Sequence, residues 1–294
     1  MIQIGKFPAL KKYRLRGACN GFLFFGHITN VECKPKLLIN PLTKEIWIWP
    51  STPDLLPDTS VYGFGFDSSI KTYKMVQINA IDYHGETRTW TMKARVYDFE
   101  KRSWRTCKAP PPFHTHRPDY NLPFAFGPCP IFVCASGAVN WILDRFSSSG
   151  FDGREILSFD LTEEEFSLIP IPNVSLRWGY AMEMPMHGLE GSLALVDYPN
   201  DGHIDVWVLE DRARREWTRK YRIRTPWAAC TCSVVGPYGS DKLILRHWRD
   251  GELMTYDVNK DQFAKCGAEE GRAARASTGV PTSLFCATLS LHSL

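Results

Sequence analysis

Short apolar runs and apolar–polar alternation fill most of this chain, and Gly, Pro, Asp and Asn cut them into lengths suited to strands. One phrase recurs: an apolar strand, an Asp, a polar turn, then an aromatic six residues after the Asp. It reads Asp98 to Trp104 in VYDFEKRSW, Asp160 to Phe166 in SFDLTEEEF and Asp257 to Phe263 in TYDVNKDQF. Looser copies are Asn40 to Trp47 in INPLTKEIW and Asp205 to Trp217 in DVWVLEDRARREW. A strand–turn–strand unit repeated down a chain predicts an array of small antiparallel sheets.

The strands fall into groups. The clearest group runs through VYGFGFDS, YKMVQINA, ARVYDFE and SWRTC, and the next through PIFVCAS, AVNWILD, EILSFDLT and EFSLIPIP. A third holds GSLALVDY, HIDVWVLE and EWTRKYRI; a fourth holds CSVVGPY, KLILRHW, ELMTYDV and QFAKC. GACNGFLFFG, KLLINP and EIWIWP supply one more at the N-terminal end. A spacing of roughly 45 to 60 residues is that of propeller blades. The expected fold is therefore all-β: a β-propeller of five four-stranded blades, or six if the termini build another, forming a single domain over residues 1–294. VPTSLFCATLSL reads as a closing strand for the N-terminal blade, and residues 267–279 before it read as a mobile loop. LEDRARREW reads as an enlarged hairpin loop.

Composition narrows the function. The 35 Lys and Arg against 32 Asp and Glu leave a net charge of +3, which gives no support for nucleic-acid or membrane-surface binding. No apolar run is long enough to span a bilayer, and the N-terminus lacks the apolar stretch of a secretory signal. Cytoplasm or nucleus is the expected location. The 9 cysteines, odd in number and irregular in spacing, do not form a disulfide framework.

Loop length carries the functional expectation. In an up-and-down blade the first-to-second and third-to-fourth turns share one face, and here they are short: DSSIKT, FEKRS, LTEEE, VNKD. The second-to-third turns and the connections between blades lie on the other face and are long: AIDYHGETRTWTM, KAPPPFHTHRPDYNLPFAFGP, RFSSSGFDGR and PNVSLRWGYAMEMPMHGLE. Aromatic and charged residues gathered there suit a recognition surface. The candidate target-binding residues are Tyr83, His84, Trp90, His114, His116, Arg117, Tyr120, Phe151, Arg154, Trp178 and Tyr180.

Seven phrases, in order, resemble the plant F-box-associated interaction domain: GACNGFLFF, LLINPLTKEIWIWP, YGFGFDSSIKTYKMV, VYDFEKRSWR, GAVNWIL, ILSFDLTEEEFSLIPIP and IDVWVLED. The resemblance runs from Gly17 to about Leu291. It implies a kelch-like propeller that holds a target protein, tied through an upstream F-box to the adaptor of a cullin-type (SCF) ubiquitin ligase. The pattern departs at the start: residues 1–16 read as an extension without a recognisable F-box. Adaptor binding is expected only where an F-box is supplied.

Other candidate chemistry has plainer readings. His114-Thr115-His116 offers half a zinc site at most, with no further ligand nearby in sequence. Cys230, Cys232, Cys129 and Cys134 read as core or bystander thiols. Arg212, Arg214 and Arg215 read as a solvated basic run offset by Glu210, Asp211 and Glu216. The repeat Asp and Asn residues read as turn-formers. Trp47, Trp104, Phe166, Trp217 and Phe263 read as covers for the gaps between blades. With no nucleophile elbow, phosphate loop or metalloprotease helix, the chain reads as non-catalytic, without cofactor or metal. Two rival readings remain: a lectin-like, glycan-binding propeller, and an F-box-less decoy that binds targets without delivering them.

Overall fold

The structure is a computed structural model. It describes residues 2–3, 12–27, 36–49, 60–86, 89–111, 131–147, 150–172, 174, 186–199, 202–225, 232–238, 241–247 and 252–266. The expected closing strand and the loop at 267–279 lie outside them.

Five antiparallel sheets form; each is an up-and-down meander of four strands, and the first has β1 added at its edge. The first holds β1 (Ile2–Gln3), β2 (Tyr13–Cys19), β3 (Phe22–His27), β4 (Lys36–Asn40) and β5 (Glu45–Trp49). The second holds β6 (Ser60–Asp67), β7 (Thr72–His84), β8 (Thr89–Asp98) and β9 (Ser103–Cys107). The third holds β10 (Phe132–Ala135), β11 (Ala138–Ser147), β12 (Gly150–Asp160) and β13 (Phe166–Pro170). The fourth holds β14 (Met186–Leu189), β15 (Ser192–Asp197), β16 (His203–Asp211) and β17 (Glu216–Arg224). The fifth holds β18 (Cys232–Pro237), β19 (Lys242–His247), β20 (Leu253–Asp257) and β21 (Gln262–Lys265). The chain forms two compact units: one carries the first three sheets and ends at Ile171, and the other begins at Pro172 and carries the last two.

Three strands depart from the sequence reading. GACNGFLFFG reads as one stretch but breaks into β2 and β3, which pair as a hairpin, and β2 begins at Tyr13, inside the expected extension. β1 adds to the outer edge of the first sheet, pairing Ile2 with Ile48 and Gln3 with Trp47. β14 lies inside a stretch expected to be a long connection; its Met186 and Leu189 are buried, but Gly188 and its four-residue length hide the period.

The recurring phrase is a turn. Asp98 Oδ1 accepts from the N–H groups of Glu100 and Lys101, Asp160 Oδ1 from Thr162 and Glu163, and Asp257 Oδ1 from Asn259 and Lys260. Asn40 does the same for Leu42 and Thr43. In the fourth sheet the turn acceptor is Asp211, bonded to Arg214 N, and not Asp205 as the sequence suggests. Asp211 stands six residues before Trp217, so this copy is regular, and the expected enlarged loop is a tight turn over 212–215. Each turn ends in a left-handed residue: Lys44, Arg102, Glu164, Arg215 and Asp261 have φ between 52° and 60°. The side-chain acceptor replaces a backbone partner and fixes the reversal. The aromatic then pairs across the hairpin: Tyr97 with Trp104, Phe159 with Phe166 and Tyr256 with Phe263 have centroids 5.4, 4.7 and 4.9 Å apart. Trp47 also reaches from its own sheet to Phe99 of the next, at 6.4 Å.

In the first unit the inner strands β2, β6 and β10 run the same way. The start of β6 meets the start of the third sheet, where Trp141 Nε1 donates to Tyr62 O at 3.1 Å. The end of β6 meets Leu161. Cys19 at the end of β2 donates to Cys134 Sγ near the end of β10 at 3.0 Å. That bond, then burial, pushes the Cys19 thiol well above its ordinary pKa. Such close approach needs bare backbone: a Cβ on Gly63 would sit 2.4 Å from the Trp141 ring, and one on Gly17 at 2.4 Å from Phe132. Phe24, Phe64, Met75, Val76, Phe132 and Trp141 fill the core between these sheets.

Candidate recognition surface

Shared strand direction gives the first unit two distinct ends. At one end the short turns are bound by charge. Lys74 Nζ donates to Asp67 Oδ2 at 2.7 Å, to Leu161 O at 2.5 Å and to Glu164 Oε1 at 2.9 Å. Arg105 grips Glu164 through Nη1 and Nη2, and Lys108 meets Glu165 at 3.0 Å. This cluster joins the second sheet to the third. Burial alone would raise the Asp67 pKa, but hydrogen bonds from Lys74 and Ser69 outweigh it and hold the carboxyl at about 2. Burial also opposes ionisation of Glu164, and Arg105 and Lys74 reverse that. No single residue in the sequence marks the cluster, because its partners lie far apart along the chain.

At the opposite end, β7–β8 and β11–β12 run on past their neighbours. β6 reaches β7 only as far as Asn79, and β9 reaches β8 only as far as Ala94. The β7–β8 ladder continues through Ala80↔Met92, Asp82↔Thr91, Tyr83↔Trp90 and His84↔Thr89. A bulge between Ala80 and Asp82 bends it. β11–β12 continues in the same way to Phe146↔Phe151 and Ser147↔Gly150, with a bulge after Arg145. Both segments read as loops in the sequence. They are ladder extensions, since Thr89-Trp90-Thr91-Met92 and Gly150–Arg154 supply paired backbone up to the tips.

Five of the expected target-binding residues fall on these two extensions. Tyr83 and Trp90 are directly opposed, and His84 follows on the same hairpin. Phe151 and Arg154 lie on β12, with Arg154 opposite Asp144. His84 Nε2 meets Thr91 Oγ1 at 2.6 Å, which ties the exposed imidazole across its own hairpin. His114, His116, Arg117, Tyr120, Trp178 and Tyr180 lie outside the described residues. Among the described residues no group of three or more His, Cys, Asp and Glu side chains is arranged to hold a metal.

Residues 6–276 match the family described as the F-box associated beta propeller domain. Two relatives come from Arabidopsis thaliana. F-box protein CPR1 is 23% identical over 265 residues, covering 84% of this chain and 62% of its own. F-box/kelch-repeat protein At3g23880 is 27% identical over 256 residues, covering 85% of this chain and 63% of its own. The chain thus spans about three fifths of the length of these relatives. Its five meanders of antiparallel strands are the blades that the family's name describes. On the evidence of that match and of the shared architecture, the chain belongs to the F-box associated β-propeller domain family.

Proposed function

We propose that this chain is the target-recognition part of an SCF-type ubiquitin ligase receptor, a non-catalytic module acting in the cytoplasm or nucleus. It would hold a target protein while an F-box, supplied on the same polypeptide, engages the ligase adaptor. The observation that carries this reading is the pair of hairpins β7–β8 and β11–β12, projecting from one end of the first unit while the other end is locked by ion pairs. Paired backbone up to the tip gives the aromatic and cationic residues of these hairpins a rigid base, which limits the entropy lost on binding.

The test is proximity labelling in plant cells. The chain is compared with a variant in which both hairpins are cut back to Ala80–Met92 and Leu143–Glu155 and closed by Asn-Gly turns. A set of labelled proteins lost from the shortened variant, with the melting temperature kept, supports the reading; an unchanged set overturns it. In parallel, fusion to an F-box should allow co-purification with the adaptor.

A further inference from the structure

The chain's charge is not spread evenly. Residues 203–224, the β16–β17 hairpin, hold seven Lys and Arg against four Asp and Glu, a net +3 that equals the net charge of the whole chain. The remainder is neutral. Within the hairpin the imbalance is sharper still: the turn and β17, residues 212–224, carry seven cations and one carboxylate, Glu216.

The structure puts these cations outside. β17 is the outermost strand of its sheet and pairs only with β16 among the described residues. Arg214, Arg215, Arg219, Lys220, Arg222 and Arg224 are all exposed. Carboxylates offset some of them. Asp205, buried at 5% exposure, lies 3.5 Å from Arg219 and 3.3 Å from Arg222; Glu190 meets Lys220 at 2.6 Å; Asp211 meets Arg214 at 3.6 Å. Arg215 and Arg224 have no ion pair among the described residues, and the Arg214 side chain is 74% exposed.

Edge protection does not account for this. Charged residues do keep outer strands from pairing with other chains. The other outer strands of the fold manage with almost none: β13 is FSLIP with no cation, β9 carries one Arg bound to Glu164, and β21 carries one Lys bound to Glu252 at 2.8 Å. The basic strip belongs to this blade and not to the architecture.

We infer that β17 and its turn form a docking surface for an extended acidic polypeptide segment laid along the open edge. The strip is about 30 Å long at roughly 3.3 Å per residue, the reach of a single peptide strand. Screening confines its pull to about 10 Å. The cations already receive carboxylates in their own fold, so carboxylates fit their geometry. This surface belongs to an outer strand of the second unit, whereas the hairpins β7–β8 and β11–β12 belong to the first, so it goes beyond the proposed recognition role and can fail independently of it.

The test uses the whole purified chain and fluorescence anisotropy with labelled decaglutamate, and with labelled decathymidylate as the nucleic-acid comparison. The expected result is decaglutamate binding at about 50 mM NaCl that weakens about tenfold or more at about 300 mM. Replacing Arg214→Gln, Arg215→Asn and Arg224→Gln together, none of which pairs with buried Asp205, should weaken it by a similar factor at low salt. Should that variant melt lower, Arg215→Asn alone must still weaken binding. Absence of decaglutamate binding at low salt, undiminished binding by the variants, or tighter binding of decathymidylate would overturn the inference.

Discussion

Lys74 Nζ, on the second strand of the second sheet, donates to the carbonyl of Leu161, at the third-to-fourth turn of the third sheet, over 2.5 Å. The same ammonium neutralises Asp67, whose side chain is 1% exposed. Lys74→Ala would strand that carboxylate without its cation and leave the Leu161 carbonyl short of a donor. Breaking a buried pair from one side costs about 3–5 kcal/mol, so urea unfolding should shift to a clearly lower midpoint. The double variant Lys74→Met/Asp67→Leu should recover much of the loss. A single variant as stable as the parent would show that the cluster holds nothing together.

Acid should find the same cluster. Asp67 is held at about 2 in the folded chain, below its ordinary value of 3.8, and Glu164 is also lowered. The unfolded chain therefore takes up these protons at higher pH than the folded one. Stability from both carboxylates is fully present above their ordinary values and drains away as pH falls, for Asp67 between about 4 and about 2. Melting temperature measured across that window should drop less steeply for Lys74→Met/Asp67→Leu than for the parent.

The turns invite a substitution that the protein itself has already made. Asn40 fills in the first sheet the role that Asp160 fills in the third, each accepting two backbone N–H bonds through Oδ1. Asp160→Asn should therefore be nearly neutral, whereas Asp160→Ala loses both bonds at an exposed turn and costs about 1 kcal/mol. Equal losses for the two variants in thermal melts would show that charge, and not the acceptor, matters there.

Close approach of strands gives the sharpest steric forecast. A Cβ at Gly63 would lie 2.4 Å from Trp141 Cζ2 and 2.5 Å from Val139 Cγ1, and Trp141 cannot retreat without losing its bond to Tyr62 O. Gly63→Ala should cost about 2 kcal/mol or more and shift the tryptophan emission. An unchanged spectrum and midpoint would contradict the packing.

What the sequence revealed followed from how local each signal is. The turn at Asp98 is written in adjacent residues, so its acceptor is readable directly; Trp104 reads as a cover between blades, and the structure pairs it with Tyr97 across its own hairpin. The β7–β8 tip reads as loop because of Gly85 and the polar Thr residues, although Thr89-Trp90-Thr91-Met92 alternates as a strand does. In the fourth sheet two aspartates compete: Asp205 abuts the apolar run, but Asp211 has the spacing to Trp217 of the other copies and is the acceptor. The Lys74–Glu164 contact could not be read at all: nothing near either residue specifies its partner. Of the charge on β17 and its turn, only the turn arginines stand out in the sequence, because the strand's own cations alternate with Trp217, Tyr221 and Ile223 and pass for ordinary strand polarity.

Asn40 carries one more implication, for how the molecule ages. Asparagine side chains are lost when the next residue's backbone nitrogen attacks the amide carbon, and Pro41 has no N–H with which to do so. Were the amide hydrolysed all the same, the product would be aspartate, the acceptor that the other sheets already use. The β4–β5 hairpin is thus guarded twice against chemical wear, by the residue that follows and by the tolerance of the turn itself.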